Sequence, residues 1–242
     1  MIEIIRKEFF GFLNGLIAYV VIGVFLTGIS LLMWVFPETS VLDYGYADME
    51  TLFSLGPYVL MFLIPAITMR SFAEEYKSGT IELLFTKPLT DMQIISGKFL
   101  ACFGLVMLSL IPTVIYFYSV YQLGDPVGNI DVPGTIGSYV GLVLLSAVFT
   151  SVGIFSSAMT RNQIVSFVIS VFLCFILYSG FRSLAGIDVW GEASLILDQL
   201  GIIYHYNALS RGLLDTRNVI YFLSMIIFML GSTQLVIGSR KW

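Results

Sequence analysis

The sequence predicts an all-α polytopic membrane protein with six transmembrane helices, an interfacial helix before the first span, and short helices in two of the loops. Two observations lead to this prediction. Of the 242 residues, 57% are hydrophobic and only 12% are charged, about half the charged fraction of a typical soluble domain. The 12 basic and 16 acidic residues all lie outside six apolar stretches, as expected if each charge at mid-bilayer costs about 2.5–3.5 kcal/mol.

Each apolar stretch is long enough to cross a bilayer, whose hydrocarbon core of about 30 Å needs roughly 20 helical residues. The first span follows Arg6 and Lys7, as a signal peptide would, but its apolar run exceeds an h-region of about 7–15 residues. We therefore expect this span to be retained. No linker divides the chain, so residues 1–242 are expected to form one transmembrane domain. The predicted spans are residues 16–36, 51–69, 99–121, 135–159, 164–181 and 219–239.

The residues before the first span predict an amphipathic helix that lies at the membrane interface. The apolar side chains fall near one face: Ile2, Ile5, Phe9 and Phe12. The charged side chains lie away from this face: Glu3, Arg6 and Lys7.

The basic residues predict the orientation, because cytoplasmic loops carry an excess of Lys and Arg. With six spans, nine of the 12 basic residues fall on one side: Arg6, Lys7, Arg70, Lys77, Lys87, Lys98, Arg161, Arg240 and Lys241. The other three precede the last span on the opposite side: Arg182, Arg211 and Arg217. We expect both termini to be cytoplasmic and the protein to lie in the inner, cytoplasmic membrane.

Two segments between the spans are long enough to contain helices. Residues 70–98, on the cytoplasmic side, place Ile81, Leu84 and Phe85 at helical spacing, which predicts a short helix against the membrane or a partner. In the outer segment, residues 182–218, the run 194–206 is too apolar for a solvated loop and too short to span twice. We expect helices that lie in, or re-enter, the outer leaflet.

Prolines and glycines inside the spans allow two interpretations. Pro57, Pro65 and Pro112 could kink helices that border a pathway. Gly137 and Gly141 have the GxxxG spacing that permits close helix packing, and close packing is the favoured interpretation.

The sequence contains no motif for catalysis or for a cofactor. It has no HExxH, CxxC pair or GxSxG motif, and Gly97-Lys98 is not a phosphate loop because Met92 and Phe99 replace the Gly and the Ser or Thr that such a loop requires. The net charge of −4 argues against nucleic acid as a partner. We expect a non-catalytic chain that binds no metal and no cofactor. The absence of charge within the spans argues against an ion-coupled carrier.

In the outer segment, His205 lies between two tyrosines. It is either a pH-sensing or ligand-contacting group or, as favoured here, an interfacial residue between aromatic anchors. Asp215 is predicted to form a local charge network with Arg211 and Arg217, or to cap the last helix. The alternative for this stretch is a solvated loop.

Residues 75–84, with the sequence EYKSGTIELL, are followed by Thr86-Lys87-Pro88 and by Gly97-Lys98. This pattern resembles the segment after the second span in type-2 ABC transporter permeases. The resemblance implies a coupling helix that rests on a separate ATPase subunit, which binds ATP and Mg²⁺, and a second permease copy or a related permease. It assigns ATPase coupling to six residues: Glu75, Lys77, Gly79, Thr80, Glu82 and Lys87.

The chemistry of this pattern agrees with a turn at a membrane surface. Gly79 permits a sharp turn, and Thr80 can cap the helix that follows. Glu82 is favoured near a helix start by the helix dipole. It either pairs with a basic residue of a partner or is a solvated acid at the helix start.

A narrower resemblance rests on residues 205–217, HYNALSRGLLDTR, followed by YFLS at 221–224. These residues are similar to gliding-motility-associated permeases of the GldF type. The resemblance implies the membrane subunit of an ATP-driven exporter. The alternatives are a membrane scaffold or anchor that transmits ATPase-driven motion in a motility or secretion assembly, and an autonomous channel or ion-coupled carrier.

Overall fold

The fold is helical throughout the residues that the computed structural model describes, which are 1–82, 86, 88–187, 193–212 and 215–239. The N-terminal half contains α1 (Ile2–Leu13), α2 (Leu16–Trp34), α3 (Val41–Tyr44), α4 (Glu50–Thr68), α5 (Ala73–Ser78), α6 (Asp91–Leu110) and α7 (Thr113–Leu123). The C-terminal half contains α8 (Val132–Met159), α9 (Gln163–Phe175), a π-helix (Ile176–Gly180), α10 (Phe181–Ala185), α11 (Ala193–Leu200), α12 (Ile202–Ser210) and α13 (Thr216–Ser239).

Within the described residues, five helical stretches are long and apolar enough to cross a membrane: Glu50–Ser78, Asp91–Leu123, Val132–Met159, Gln163–Ala185 and Thr216–Ser239. The N-terminal helix α1 and the apolar helix after it meet at 68° and give a sixth if the pair counts as one span. The predicted multi-pass, all-helical architecture is therefore confirmed. The 68° bend separates α1 from α2, where the sequence predicted an interfacial helix leading into the first span.

The third predicted span, 99–121, differs most from the structure. Its helix already begins at Asp91, because Thr90 and Gln93 form a capping box in which each side chain bonds the other's backbone N–H. It is interrupted before Pro112, which has no N–H to donate, and resumes at Thr113. The fifth span also extends beyond its prediction, through the π-helix Ile176–Gly180 into α10.

The central helix is α8, and small residues on it allow other helices to pack closely against it. A Cβ on Gly141 would lie 3.3 Å from the ring of Tyr206 on α12, and a Cβ on Gly137 would overlap the carbonyl oxygen of Leu209. A Cβ on Gly153 would overlap Thr68 on α4. The prediction of close packing at Gly137 and Gly141 is therefore confirmed.

The N-terminal helix packs against α6 through glycines. Ile4 meets Gly97, where a Cβ would lie 3.0 Å from it, and Phe9 meets Gly104 at 3.3 Å. The predicted apolar face was wrong at Ile2, which is 73% exposed, whereas Ile4 is buried. The helix turns the side that fits the α6 glycines toward the protein, and this side includes Glu8.

Candidate coupling site

The coupling segment, residues 70–98, starts at a break in the helix after α4. Ser157 of α8 closes this break. Its Oγ accepts hydrogen bonds from the backbone N–H groups of Phe72 (2.9 Å) and Ala73 (3.1 Å) and donates one to the carbonyl oxygen of Met69 (3.0 Å). Helix ends leave such groups unpaired, so one buried hydroxyl satisfies the end of α4 and the start of α5 together.

Three charged residues from three helices meet beside this break, and we call them the charge cluster: Glu8, Glu75 and Lys98. The ammonium of Lys98 lies 3.0 Å from Glu8 Oε1 and 2.9 Å from Glu75 Oε1. The side chain of Lys98 is 1% exposed, whereas those of Glu8 and Glu75 are 18% and 15% exposed. The cluster therefore joins α1, α5 and α6 at a single buried cation.

The remaining contacts of Lys98 complete its coordination. Its Nζ donates a third hydrogen bond to the carbonyl oxygen of Ser71, at 2.7 Å, and lies 5.1 Å from the centre of the Phe72 ring. The ammonium has three donors, so each one has a partner. Removing one partner of a buried ion pair costs about 3–5 kcal/mol, because the other charge stays buried without compensation.

The far end of α5 is an exposed turn, residues 77–80. Gly79 has a φ of +72° and ends the helix in the left-handed conformation, as its position in the predicted sharp turn requires. A Cβ on Gly79 would meet nothing within 4 Å, so backbone strain alone disfavours other residues here. The hydroxyls of Ser78 and Thr80 lie 2.9 Å apart.

The residues assigned to ATPase coupling divide into two groups. Lys77, Gly79, Thr80 and Glu82 are exposed, whereas Glu75 turns inward to Lys98. Residues 81 and 82 are helical. The other predictions for this stretch lie outside the described residues: Lys87 and the apolar face with Leu84 and Phe85.

Sequence reasoning missed Glu8, Ser157 and the buried role of Lys98, which it treated as a flanking cytoplasmic charge. A signal for Glu8 was present, because it shares one helix face with Ile4 and Phe12 at spacings of four. Ser157 carried no comparable signal. It is one of several buried hydroxyl residues on α8, and only the position of the α4 end distinguishes it.

The outer segment forms α10, α11 and α12, so its predicted helices are observed, and their place in the outer leaflet stays a prediction. Tyr206 anchors α12 by donating a hydrogen bond from its hydroxyl to the Phe53 carbonyl oxygen, at 2.8 Å. Burial raises the pKa of the Tyr206 hydroxyl well above its usual range, which keeps this donor protonated.

His205 ties the outer helices to the last span. Its Nδ1 lies 2.7 Å from Asn218 Oδ1, its Nε2 lies 2.9 Å from the Gln199 carbonyl oxygen, and its ring stacks on Tyr221 at 3.9 Å. These contacts join α11, α12 and α13, a more specific role than the interfacial position favoured from sequence.

Asp215 caps the last helix, because its Oδ1 accepts a hydrogen bond from the Arg217 N–H at 2.9 Å. The predicted charge network is wrong: within the described part of the chain, no ion pair links Asp215 to Arg211 or Arg217. The Asp215 carboxylate is directed at the backbone of α13. Arg211 instead lines a cavity of about 680 Å³ together with Tyr178 and Tyr206.

Among the described residues, no three His, Cys, Asp or Glu side chains are grouped closely enough to hold a metal ion.

Comparison with known proteins places these features in a family context. Residues 38–238 match the family described as ABC-2 family transporter protein. The matched region includes the coupling segment, the central helix α8 and the outer segment. No curated protein sequence matches the chain.

Proposed function

The chain belongs to the ABC-2 family of transporter proteins, and we propose from this premise that it couples ATP hydrolysis on a separate ATPase chain to movement of a substrate. It is a multi-pass membrane permease subunit of an ABC transporter. In the proposed complex, the ATPase binds ATP and Mg²⁺, and this chain supplies the spans. A second permease copy or a related permease completes the membrane part.

The observation that carries the proposal is the attachment of an exposed turn to several spans. The turn at residues 77–80 is accessible to a partner. Its helix α5 is held at the other end by Ser157 of α8 and, through Glu75, by Lys98 of α6. A force applied at Gly79 by an ATPase would therefore reach the second, third and fourth spans together, as a shift of packed helices.

The orientation and cellular role are also part of the proposal. We place both termini and the coupling segment in the cytoplasm, because nine of the 12 basic residues then face inward. The protein would lie in the inner membrane. The resemblance of residues 205–217 to gliding-motility permeases supports a role in gliding motility, and a membrane scaffold that transmits motion without moving cargo is the alternative role.

The test uses the permease co-expressed with a candidate ABC ATPase, sought first among the neighbouring reading frames, and reconstituted with it in liposomes. Glu82→Lys reverses an exposed charge two residues after the turn, and Glu3→Lys reverses an exposed charge on α1 as the matched control. Truncating one partner of a desolvated charge pair at an interface costs about 2–5 kcal/mol of binding free energy. We expect Glu82→Lys to reduce permease-stimulated ATP hydrolysis strongly and Glu3→Lys to leave it near wild type.

Two outcomes would contradict parts of this proposal. Unchanged stimulation by the Glu82→Lys complex would make Glu82 a solvated acid at a helix start, without a coupling role. ATP hydrolysis without any solute gained or lost by the vesicles, measured by mass spectrometry of their contents, would favour the scaffold over the transporter.

A further inference from the structure

Lys98 connects two parts of the cytoplasmic side that are distant in sequence. We propose that Lys98 is a positioning residue that locks the N-terminal helix to the coupling segment, so that the two move as one body and carry motion to the first span. The inference rests on the proposed function, because it concerns how a push at the exposed turn is distributed.

The geometry of Lys98 favours a lock over a solvated charge. Its three donors go to three places: Glu8 on α1, Glu75 on α5 and the Ser71 carbonyl oxygen at the helix break. Two of these partners are carboxylates that repel one another when no cation lies between them. Glu75 Oε2 is buried and has no hydrogen-bond partner among the described residues, so the Glu75 carboxylate depends on Lys98.

The surrounding contacts do not replace this link. Lys7 also approaches Glu8 (3.7 Å) and Glu75 (4.0 Å), but its side chain is 70% exposed, and exposed pairs contribute little. The apolar anchors of α1, Ile4 and Phe9, meet glycines of α6. The buried ionic connection from α1 to the coupling segment therefore passes through Lys98.

The position of α1 gives this lock a mechanical consequence. The N-terminal helix leads into α2 across a 68° bend at residues 14–15. A shift of the coupling segment transmitted through Glu75, Lys98 and Glu8 would carry α1 with it and thereby displace the start of the first span. The first span would then respond to the ATPase although it lies outside the coupling segment.

The experiment separates locking from simple stability. Lys98→Met leaves two partly buried carboxylates uncompensated, and we expect it to lower thermal stability. The triple variant Glu8→Gln, Glu75→Gln, Lys98→Met removes all three charges, and we expect it to recover most of the stability and to bind the ATPase. Arg161→Met, which removes an exposed cation outside the coupling segment, is the control. Coupling free energies correspond to changes of about 5–150-fold, and we expect a loss of about tenfold in permease-stimulated ATP hydrolysis for the triple variant but not for Arg161→Met.

A covalent bridge provides the decisive readout. Lys7→Cys and Glu74→Cys place thiols on α1 and α5, beside one cavity of about 260 Å³ that both residues line, and the native Cys102 and Cys174 are buried. A short bismaleimide that joins the two thiols should leave coupling unchanged when Lys98 is present. It should restore coupling to the triple variant, because the bridge replaces the ionic lock.

Three results would overturn the inference. The first is full coupling in the unbridged triple variant. The second is loss of coupling when the bridge is formed with Lys98 present, since the helices would then have to separate. The third is a triple variant that stays uncoupled when bridged. If the wild-type chain neither binds the ATPase nor stimulates its hydrolysis, the proposed function itself fails, and this result is visible before any variant is made.

Discussion

The side-chain oxygen of Ser157 lies 2.9 Å from the backbone nitrogen of Phe72, across 85 residues of sequence. This bond connects the C-terminal end of the central helix α8 to the first turn of the coupling segment. The same hydroxyl also donates to the Met69 carbonyl oxygen. The helix can therefore break between α4 and α5 without leaving the Met69 carbonyl or the Phe72 N–H unpaired.

The first prediction is that Ser157→Ala destabilises the protein by about 1–3 kcal/mol, the usual penalty for leaving buried donors unpaired. The control is Ser156→Ala. Ser156 is equally buried, but its hydroxyl only donates to the Val152 carbonyl oxygen within its own helix. Thermal unfolding in detergent measures the stability of both variants. Equal shifts in Tm would show that the bridging bonds of Ser157 add no stability.

The second prediction concerns Gly79, for which the chain offers a close control. Gly79 and Gly45 have φ values of +72° and +70°, and neither has an atom within 4 Å of an added Cβ. Gly79→Ala and Gly45→Ala should therefore each lose about 1 kcal/mol, through backbone strain. Only Gly79→Ala should reduce permease-stimulated ATP hydrolysis, because Gly45 lies on the opposite side in the predicted topology. Equal effects on hydrolysis would show that strain anywhere in the fold is sufficient.

A third prediction tests the close contact of α8 with α12. Gly137→Ala should push α12 outward, since an added Cβ overlaps the Leu209 carbonyl oxygen. Overpacking of this kind costs about 1–3 kcal/mol. The matched variant Gly231→Ala adds the same methyl group to a helix position with nothing within 4 Å. Hydrogen exchange of residues 202–210 should accelerate in the first variant alone; protection as in wild type would mean that α12 is not held there.

The fourth prediction is that His205→Leu loosens the outer segment by removing its bonds to Asn218 and Gln199. Asn218 is 7% exposed, so losing its partner should cost about 1–3 kcal/mol. Tyr204→Leu replaces an adjacent ring that is 42% exposed and serves as the control. Faster hydrogen exchange over residues 193–210 is expected for His205→Leu. Identical exchange in both variants would show that His205 does not hold the helices together and is only an interfacial residue.

The fifth prediction concerns orientation. A cysteine at Ser78, on the exposed turn, should resist an impermeant maleimide in intact cells, whereas a cysteine at Tyr46, which is 76% exposed, should react. Opening the cells should make the first thiol reactive. The reverse pattern would invert the proposed topology and place the coupling segment outside.

Two features, one in the coupling segment and one in the outer segment, followed from local chemistry. The left-handed turn at Gly79 was predictable, because glycine before a threonine and an acidic helix start is a local signal. The same holds for the Asp215 cap, which bonds a backbone N–H two residues away. The predicted network of Asp215 with its neighbouring arginines failed for a related reason. Proximity in sequence does not specify which way long side chains point.

In the third span, the predicted start lies too late in the sequence and the predicted helix continues across a break. Its apolar run predicted one span from residue 99, but the capping box at Thr90 starts the helix earlier and Pro112 interrupts it. Both signals are readable in the sequence. The predicted bounds differ from the observed ones because hydrophobicity marks the part of a helix that fits the bilayer and does not report where the helix begins.

The sequence by itself determined that this chain crosses a membrane several times as helices, and that a glycine turn lies between two of them. Hydrophobicity, charge and turn chemistry act over a few neighbouring residues, so they can be read along the chain. Only the tertiary structure decided that Glu8 and Lys98, 90 residues apart, share one buried contact and that Ser157 closes the break at Phe72. Such pairings depend on which helix faces meet, and those faces are set by the fit of Ile4 to Gly97 and of Thr68 to Gly153, which no single stretch of sequence contains.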